Sequence, residues 1–279
     1  MEADQPYCYP GTHCEEHMLQ IDERVCLRVI HFVPLVTSVY PPIVMVAGLA
    51  TYIESFQPVV IELSRDFELF YIETREKSSS VLSGKVKFDM ETVARDITFI
   101  IQFFGLNIRK YILFGYSYGA TVITEAYGYL ESKPDCLLLL SPTPSFYYPR
   151  WSLPLIQVAV PLYGIIKPTA KWYLKNFVIN RKEDNEMYLF TSHTLDRADP
   201  KKLKNAILAV AGLEFFDKME FIDSPTLIID TSRDGFHRKE DTRRMVSSII
   251  GSTYIDLERN KRTHSPEIGA VIRNYLNGL

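Results

Sequence analysis

Acyl transfer needs a nucleophile, a base to take its proton and an acid to orient that base, and this chain offers a residue for each task. Residues 111–119 read Tyr-Ile-Leu-Phe-Gly-Tyr-Ser-Tyr-Gly, an apolar run that stops at a serine held between two glycines. A serine hydroxyl is a poor nucleophile until geometry and a neighbouring base cooperate. Gly115 and Gly119, two residues before and two after Ser117, let neighbouring backbone pass close, so Ser117 can adopt a strained turn with its Oγ exposed. The run before it is strand-like and residues 120–127 suit a helix, which makes a sharp strand-to-helix turn at the serine.

The base has six histidines to come from. His13, His17 and His31 precede the first buried-strand pattern, His193 lies in a helical stretch, and His237 sits where a helix begins. His264 closes the loop 258–263, after the strand-like residues 253–257 and before a helical run at 266–276. That placement, at the carboxyl end of a strand, makes it the expected general base. The orienting acid has two loops to come from. Residues 141–145, Ser-Pro-Thr-Pro-Ser, hold none; residues 230–236 read Asp-Thr-Ser-Arg-Asp-Gly-Phe. Asp234, a few residues past the strand end where the loop can turn back, is preferred. Asp230, nearer the strand, is the alternative, and a helix-capping role for Asp234 is the non-catalytic one.

Short, continuously apolar runs at 43–47, 69–72, 111–114, 136–140 and 226–229 read as strands buried on both faces. Helical periodicity fills the intervals, notably 90–104 behind Asp89 as N-cap and 120–130. Such alternation implies a parallel sheet covered by helices, with ligands bound at the carboxyl ends of its strands. An antiparallel hairpin, 18–21 with 25–29, precedes it. Between Ser141 and Thr226 lie about eighty residues, too many for one crossover helix, so something is inserted there.

The length of 279 residues, 47% hydrophobic and 23% charged, suits one large globular domain with an insertion. A formal net charge of −3 gives no general attraction for nucleic acid, and no nucleic-acid partner is expected. Residues 1–10 carry acids and prolines where a secretory leader has basic and then apolar residues, and no apolar run is long enough to span a bilayer. Four cysteines in so long a chain make no disulfide framework. A cytoplasmic location is therefore expected. Cys8, His13, Cys14 and His17 match no common zinc spacing, and neither metal nor cofactor is expected.

The order Ser117, Asp234, His264, with the serine at a nucleophile elbow, resembles the α/β-hydrolase fold family over nearly the whole chain beyond residue 17. The resemblance implies an α/β architecture: an eight-stranded, mostly parallel sheet flanked by helices, with residues 1–144 and 219–279 as core domain and 145–218 as a helical cap inserted after the sixth strand. It also implies an oxyanion hole, whose donors would be the backbone N–H groups of Leu49 and Tyr118. Two departures stand out. Ala47 occupies a position where relatives commonly have histidine, and the loop Glu73-Thr74-Arg75-Glu76-Lys77-Ser78-Ser79 lacks the family's glycines, although Arg75 matches an arginine that braces loops.

The implied activity is a serine hydrolase cleaving a small-molecule carboxylic ester, with an apolar acyl or aromatic substrate favoured by the aromatic-rich insertion. A thioesterase or acyltransferase of the same mechanism, and a non-catalytic ligand-binding or scaffold protein, are the alternatives. Aromatic residues in 149–177 mingle with Arg150, Lys167, Lys171 and Lys175, a composition that a membrane surface accepts; packing of the insertion onto the sheet is the preferred reading. Nothing in the sequence sets an oligomeric state.

Overall fold

The N-terminal hairpin is longer than its apolar alternation foretells. β1 (His13–Asp22) and β2 (Val25–Val33) pair antiparallel with Leu19 opposite Leu27. β2 then pairs antiparallel with β4 (Leu69–Ile72), which lies parallel to β3 (Ile43–Val46). Between those two strands runs α1 (Ile53–Ser64). After β4 comes a two-residue β5 (Val81–Leu82), bonded to β2, and then α2 (Met90–Phe103), whose N-cap is Asp89 as expected: its carboxylate accepts from the Thr92 amide. β6 (Ile112–Tyr116), α3 (Tyr118–Tyr127) and β7 (Cys136–Leu140) follow.

In this computed structural model, which describes residues 7–148, 151–158, 160–178, 185–233 and 239–279, the stretch after β7 is helical. It holds α4 (Ser152–Val158), α5 (Tyr163–Tyr173) with a π-turn at Leu174–Val178, α6 (Asn185–Arg197), α7 (Pro200–Val210) and the short α8 (Phe216–Met219). Asp199 caps α7 through the amides of Lys201 and Lys202, with Pro200 in the first turn. The chain closes with β8 (Thr226–Asp230), α9 (Lys239–Ser248), β9 (Thr253–Asp256), a single turn α10 (Asn260–Thr263) and α11 (Glu267–Leu276).

The sheet order is β1-β2-β4-β3-β6-β7-β8-β9, eight strands on one path with β5 appended to β2. Every pairing from β4 to β9 is parallel. The inserted helices sit between β7 and β8, the sixth and seventh strands once the two-residue β5 is set aside. Two apolar layers cover the sheet, as its doubly buried strands require. Alternate strand residues point to opposite faces: Val44, Leu113, Leu139 and Ile228 pack with α2, α3 and α9, while Met45, Phe114, Leu138 and Ile229 pack with α1 and α11.

The inserted segment divides in two. Phe146, Val210, Phe215 and Phe216 join the first of those layers, and α6 and α7 are tied down by polar bonds. The apolar residues of α4 and α5, expected to pack the insertion onto the sheet, do not: neither helix buries a single residue.

α3 can lie on β3 only because of a missing side chain. A Cβ on Gly119 would stand 2.1 Å from the Val46 carbonyl oxygen and 2.7 Å from that of Ala47, closer than any real contact. Gly119→Ala is therefore expected to lower stability by about 1–3 kcal/mol or more, read as a fall in the urea midpoint. Gly128→Ala at the far end of the same helix, where the nearest atom is 3.6 Å away and φ is −65°, should leave the midpoint unchanged or slightly raised.

Candidate active site

Ser117 is the single residue between β6 and α3, and it holds φ 50° and ψ −115°. A non-glycine residue there is strained by roughly 1–3 kcal/mol, and such strain clusters at functional sites. Its amide donates to the Leu140 carbonyl at 2.9 Å, and its own carbonyl accepts from Ala120 at 3.0 Å. Gly115 and Gly119 serve as the sequence suggested: a Cβ on Gly115 would sit 2.4 Å from the Ala120 Cα. The other positive-φ non-glycine residues among those described are Ala50, Ser141 and Glu258, following β3, β7 and β9. All the non-glycine strain thus lies just past the carboxyl ends of strands, where this architecture binds ligands.

The Ser117 Oγ lies 3.2 Å from the Thr143 Oγ1. Thr143 is held in turn, its carbonyl accepting from the Thr121 hydroxyl at 2.6 Å. The loop 141–145 drew attention in the sequence only for lacking an acid; its contribution is this hydroxyl.

His264 is buried at the C-cap of α10. Its ring lies 4.7 Å from that of Phe56 on α1, 5.3 Å from Tyr116 in an edge-on contact, and 5.9 Å from Phe190 on α6. Its Nδ1 is 3.0 Å from the Thr263 Oγ1 and 3.3 Å from the Asn260 carbonyl oxygen. The Thr263 hydroxyl itself donates to that carbonyl at 2.7 Å. Tyr116, the residue before the serine, is the hub. One edge of its ring faces His264, and its Cδ1 lies so near Gly48 that a Cβ there would be 2.8 Å away.

The loop after β3 carries Leu49, half-buried, and Ala50 at φ 52°. Its anchor is a group that sequence reading passed over. Lys77, with no exposed surface, donates from Nζ to the Gly48 carbonyl at 2.7 Å and to the Thr74 hydroxyl at 3.3 Å, and it pairs with the Glu76 carboxylate. That carboxylate also accepts from the Thr74 hydroxyl at 2.9 Å and from the Ala50 amide at 3.4 Å. The two departures from the family pattern thus meet: the loop without glycines supplies the charge pair that holds the loop without histidine. Arg75 in the same loop braces it, as expected, through a bidentate contact to Asp96 at 2.5 and 2.7 Å.

Tyr118 opens α3 with its side chain fully buried. Burial, with the nearby Glu76 charge adding to it, pushes its phenol well above the usual range.

Asp230 ends β8 and accepts a bond from the Thr242 hydroxyl of α9 at 2.6 Å. By strand alternation it shares the face of Ile228, toward α9, whereas the His264 ring lies against Phe56 of the opposite layer. A cavity of about 670 Å³ opens beside it, walled by Asp230, Thr242, Arg243 and Tyr254. Ser117 and His264 are not in its walls. Asp234, the preferred acid, and His237 lie outside the described residues.

Above the carboxyl edge, α6 brings Phe190 to His264, and Arg197 pairs with Glu54 while lying 4.5 Å over the Tyr52 ring. Lys202 of α7 donates to the carbonyls of Lys77 and Ser80 at 3.0 and 2.6 Å.

A parallel sheet crossed by helices on both faces, a strained serine between strand and helix, and a histidine past the last strand define the α/β-hydrolase fold, and this chain has it. Solved structures agree. The chain is similar to a bromoperoxidase from Bacillus anthracis (16% identity, TM-score 0.75, covering 94% of this chain and 100% of that one). It also resembles a thermophilic esterase from Thermogutta terrifontis with malate bound (17%, 0.74, 95% and 98%) and an enol-lactonase from Burkholderia xenovorans (14%, 0.72, 90% and 97%). No protein-family model matches the sequence, and no curated protein does.

The buried pair carries a stability consequence. Lys77→Met strands the Glu76 carboxylate and is expected to cost about 3–5 kcal/mol in chemical denaturation; Lys77→Met with Glu76→Gln together should recover most of that loss. A single variant as stable as the native chain would show that the pair is not buried as described.

Proposed function

We propose that the protein is a serine hydrolase acting on small-molecule carboxylic esters. The observation that carries this reading is the strained backbone of Ser117 at the junction of β6 and α3. In the proposed reaction His264 takes the Ser117 proton as Oγ attacks the ester carbonyl, and the new C–O bond gives a tetrahedral oxyanion. The N–H groups of Leu49 and Tyr118 receive that charge. Collapse expels the alcohol, which takes the proton from His264, and a water deprotonated by the same imidazole then releases the acid from the acyl-enzyme.

Asp234 is the acid assigned to orient His264. The bond from Thr242 to Asp230, on the α9 side of the sheet, supports leaving Asp230 out of that role. Lys77 is assigned to position rather than to react: by fixing the Gly48 carbonyl it aims the Leu49 amide, the task that a histidine at position 47 performs in relatives. Residues 145–218 act as a cap, and the aromatic rings of Phe56, Tyr116 and Phe190 around His264 support an apolar acyl or aromatic group in the substrate.

A fluorophosphonate probe tests the nucleophile: the native chain should label and Ser117→Ala should not, with ester turnover down by roughly four to six orders of magnitude. Labelling of neither protein, or of both, removes Ser117 from its role. Replacing each aspartate by Asn separates the acids, since Asp234→Asn should abolish turnover in a folded protein while Asp230→Asn should not. Across nitrophenyl esters of increasing chain length, kcat/KM should climb by roughly threefold per methylene until the pocket is filled; a flat series from acetate upward contradicts the apolar pocket.

A further inference from the structure

Amphipathic helices in water turn their charges outward, and α5 does the reverse. Lys167 and Lys171 reach inward to Asp196 of α6 at 3.1 and 2.6 Å, and the Tyr163 hydroxyl donates to the Leu195 carbonyl at 2.7 Å. Ile165 and Trp172, seven residues apart and so on one stripe, face away from the protein at 73% and 58% exposure. α4, which precedes α5 in the chain, is exposed as well, with Trp151 before it at 72% exposure and Leu155 and Val158 exposed along it. Contiguous apolar patches of more than roughly a few hundred Å² are uncommon on monomeric chains and mark contact surfaces.

Charge selects the occupant. Residues 151–178 carry Lys167, Lys171 and Lys175 and no acid, in a chain whose formal net charge is −3. With Lys167 and Lys171 paired to Asp196, Lys175 is the charge that this acid-free stretch leaves for the outer face, and a second copy docking by two-fold symmetry would set that charge against itself. An anionic lipid surface has the complementary charge, and apolar side chains flanked by tryptophan, tyrosine and lysine form the composition that beds at headgroup depth. No helix among the described residues is long and apolar enough to cross a membrane.

We propose that the outer face of α4 and α5 seats on the surface of a bilayer containing anionic lipid. Trp151 and Trp172 sit at the headgroup level, Ile165 and Leu155 enter the acyl boundary, and Lys175 meets the phosphates. The helices lie in the plane of the interface and do not span it. This contact is independent of the chemistry assigned to Ser117.

The chain carries its own probe, because Trp151 and Trp172 are its two tryptophans and both are exposed. The full chain is mixed with vesicles of phosphatidylcholine alone or of equimolar phosphatidylcholine and phosphatidylserine. The mixed vesicles should shift tryptophan emission to the blue and carry the protein down on sedimentation, with neutral vesicles and added salt weakening both effects. Ile165→Ser with Trp172→Ser should reduce sedimentation roughly tenfold or more, while its fluorophosphonate labelling stays as in the native chain. Ser117→Ala should bind vesicles as the native chain does, so failure of the catalytic reading leaves this one standing. An unshifted native emission spectrum with no sedimentation on either vesicle overturns the proposal, whatever the variant does. So does a concentration-dependent dimer, dissolved by the same two substitutions, in a chain that ignores vesicles.

Discussion

Between the first turn of α3 and the end of β3 there is no room for a side chain, and the rest of the site follows from that contact. Because residue 119 is a glycine, at a position where a Cβ would lie only 2.1 Å from the Val46 carbonyl oxygen, the helix can begin immediately after β6 and lie across the neighbouring strand. Ser117 is then forced to turn the chain in one residue, which is why it holds φ 50°. The strain is sustained from both sides: β6 is locked between β3 and β7, and the Ser117 amide is bonded to the last residue of β7. A strained residue persists only when its surroundings over-determine it, and two parallel ladders and a helix are rigid surroundings.

The loops beside the serine have no such ladders and depend on charge. Burying an ammonium and a carboxylate costs several kcal/mol per ion, and the cost is offset only when every donor and acceptor is used. Lys77 meets a carbonyl, a hydroxyl and a carboxylate, and Glu76 accepts from a hydroxyl, an ammonium and an amide. A pair so engaged fixes two loops at once, because moving either loop leaves a charge in the dry interior. The carbonyl of Lys77 extends the chain of bonds to Lys202, so the same anchor reaches the inserted helices.

Contacts made within one segment were legible in the sequence, and contacts between segments were not. The five apolar runs announced the parallel strands because burial on both faces leaves no alternation, and Gly-x-Ser-x-Gly announced the turn because its geometry is local. The place of His264 after the last strand was legible too, being a matter of order along the chain. Lys77 bonds to a carbonyl 29 residues away and Thr143 meets a serine 26 residues away. A lysine in a polar stretch, Glu-Lys-Ser-Ser-Ser, reads as solvated, and no periodicity marks it as buried. The composition of 149–177 likewise gave no direction for its aromatic residues: Tyr163 reaches α6, whereas Trp172 and Tyr173 are exposed.

The insertion holds two environments. α6 and α7 are bound to the core through Arg197 and Lys202, whose partners are loops of the carboxyl edge. With these bonds in place the polar side of α5 is satisfied by α6, so the helix needs nothing from the core and its apolar side faces outward. Phe190, beside the His264 ring, and the exposed Trp172 therefore belong to one helical layer.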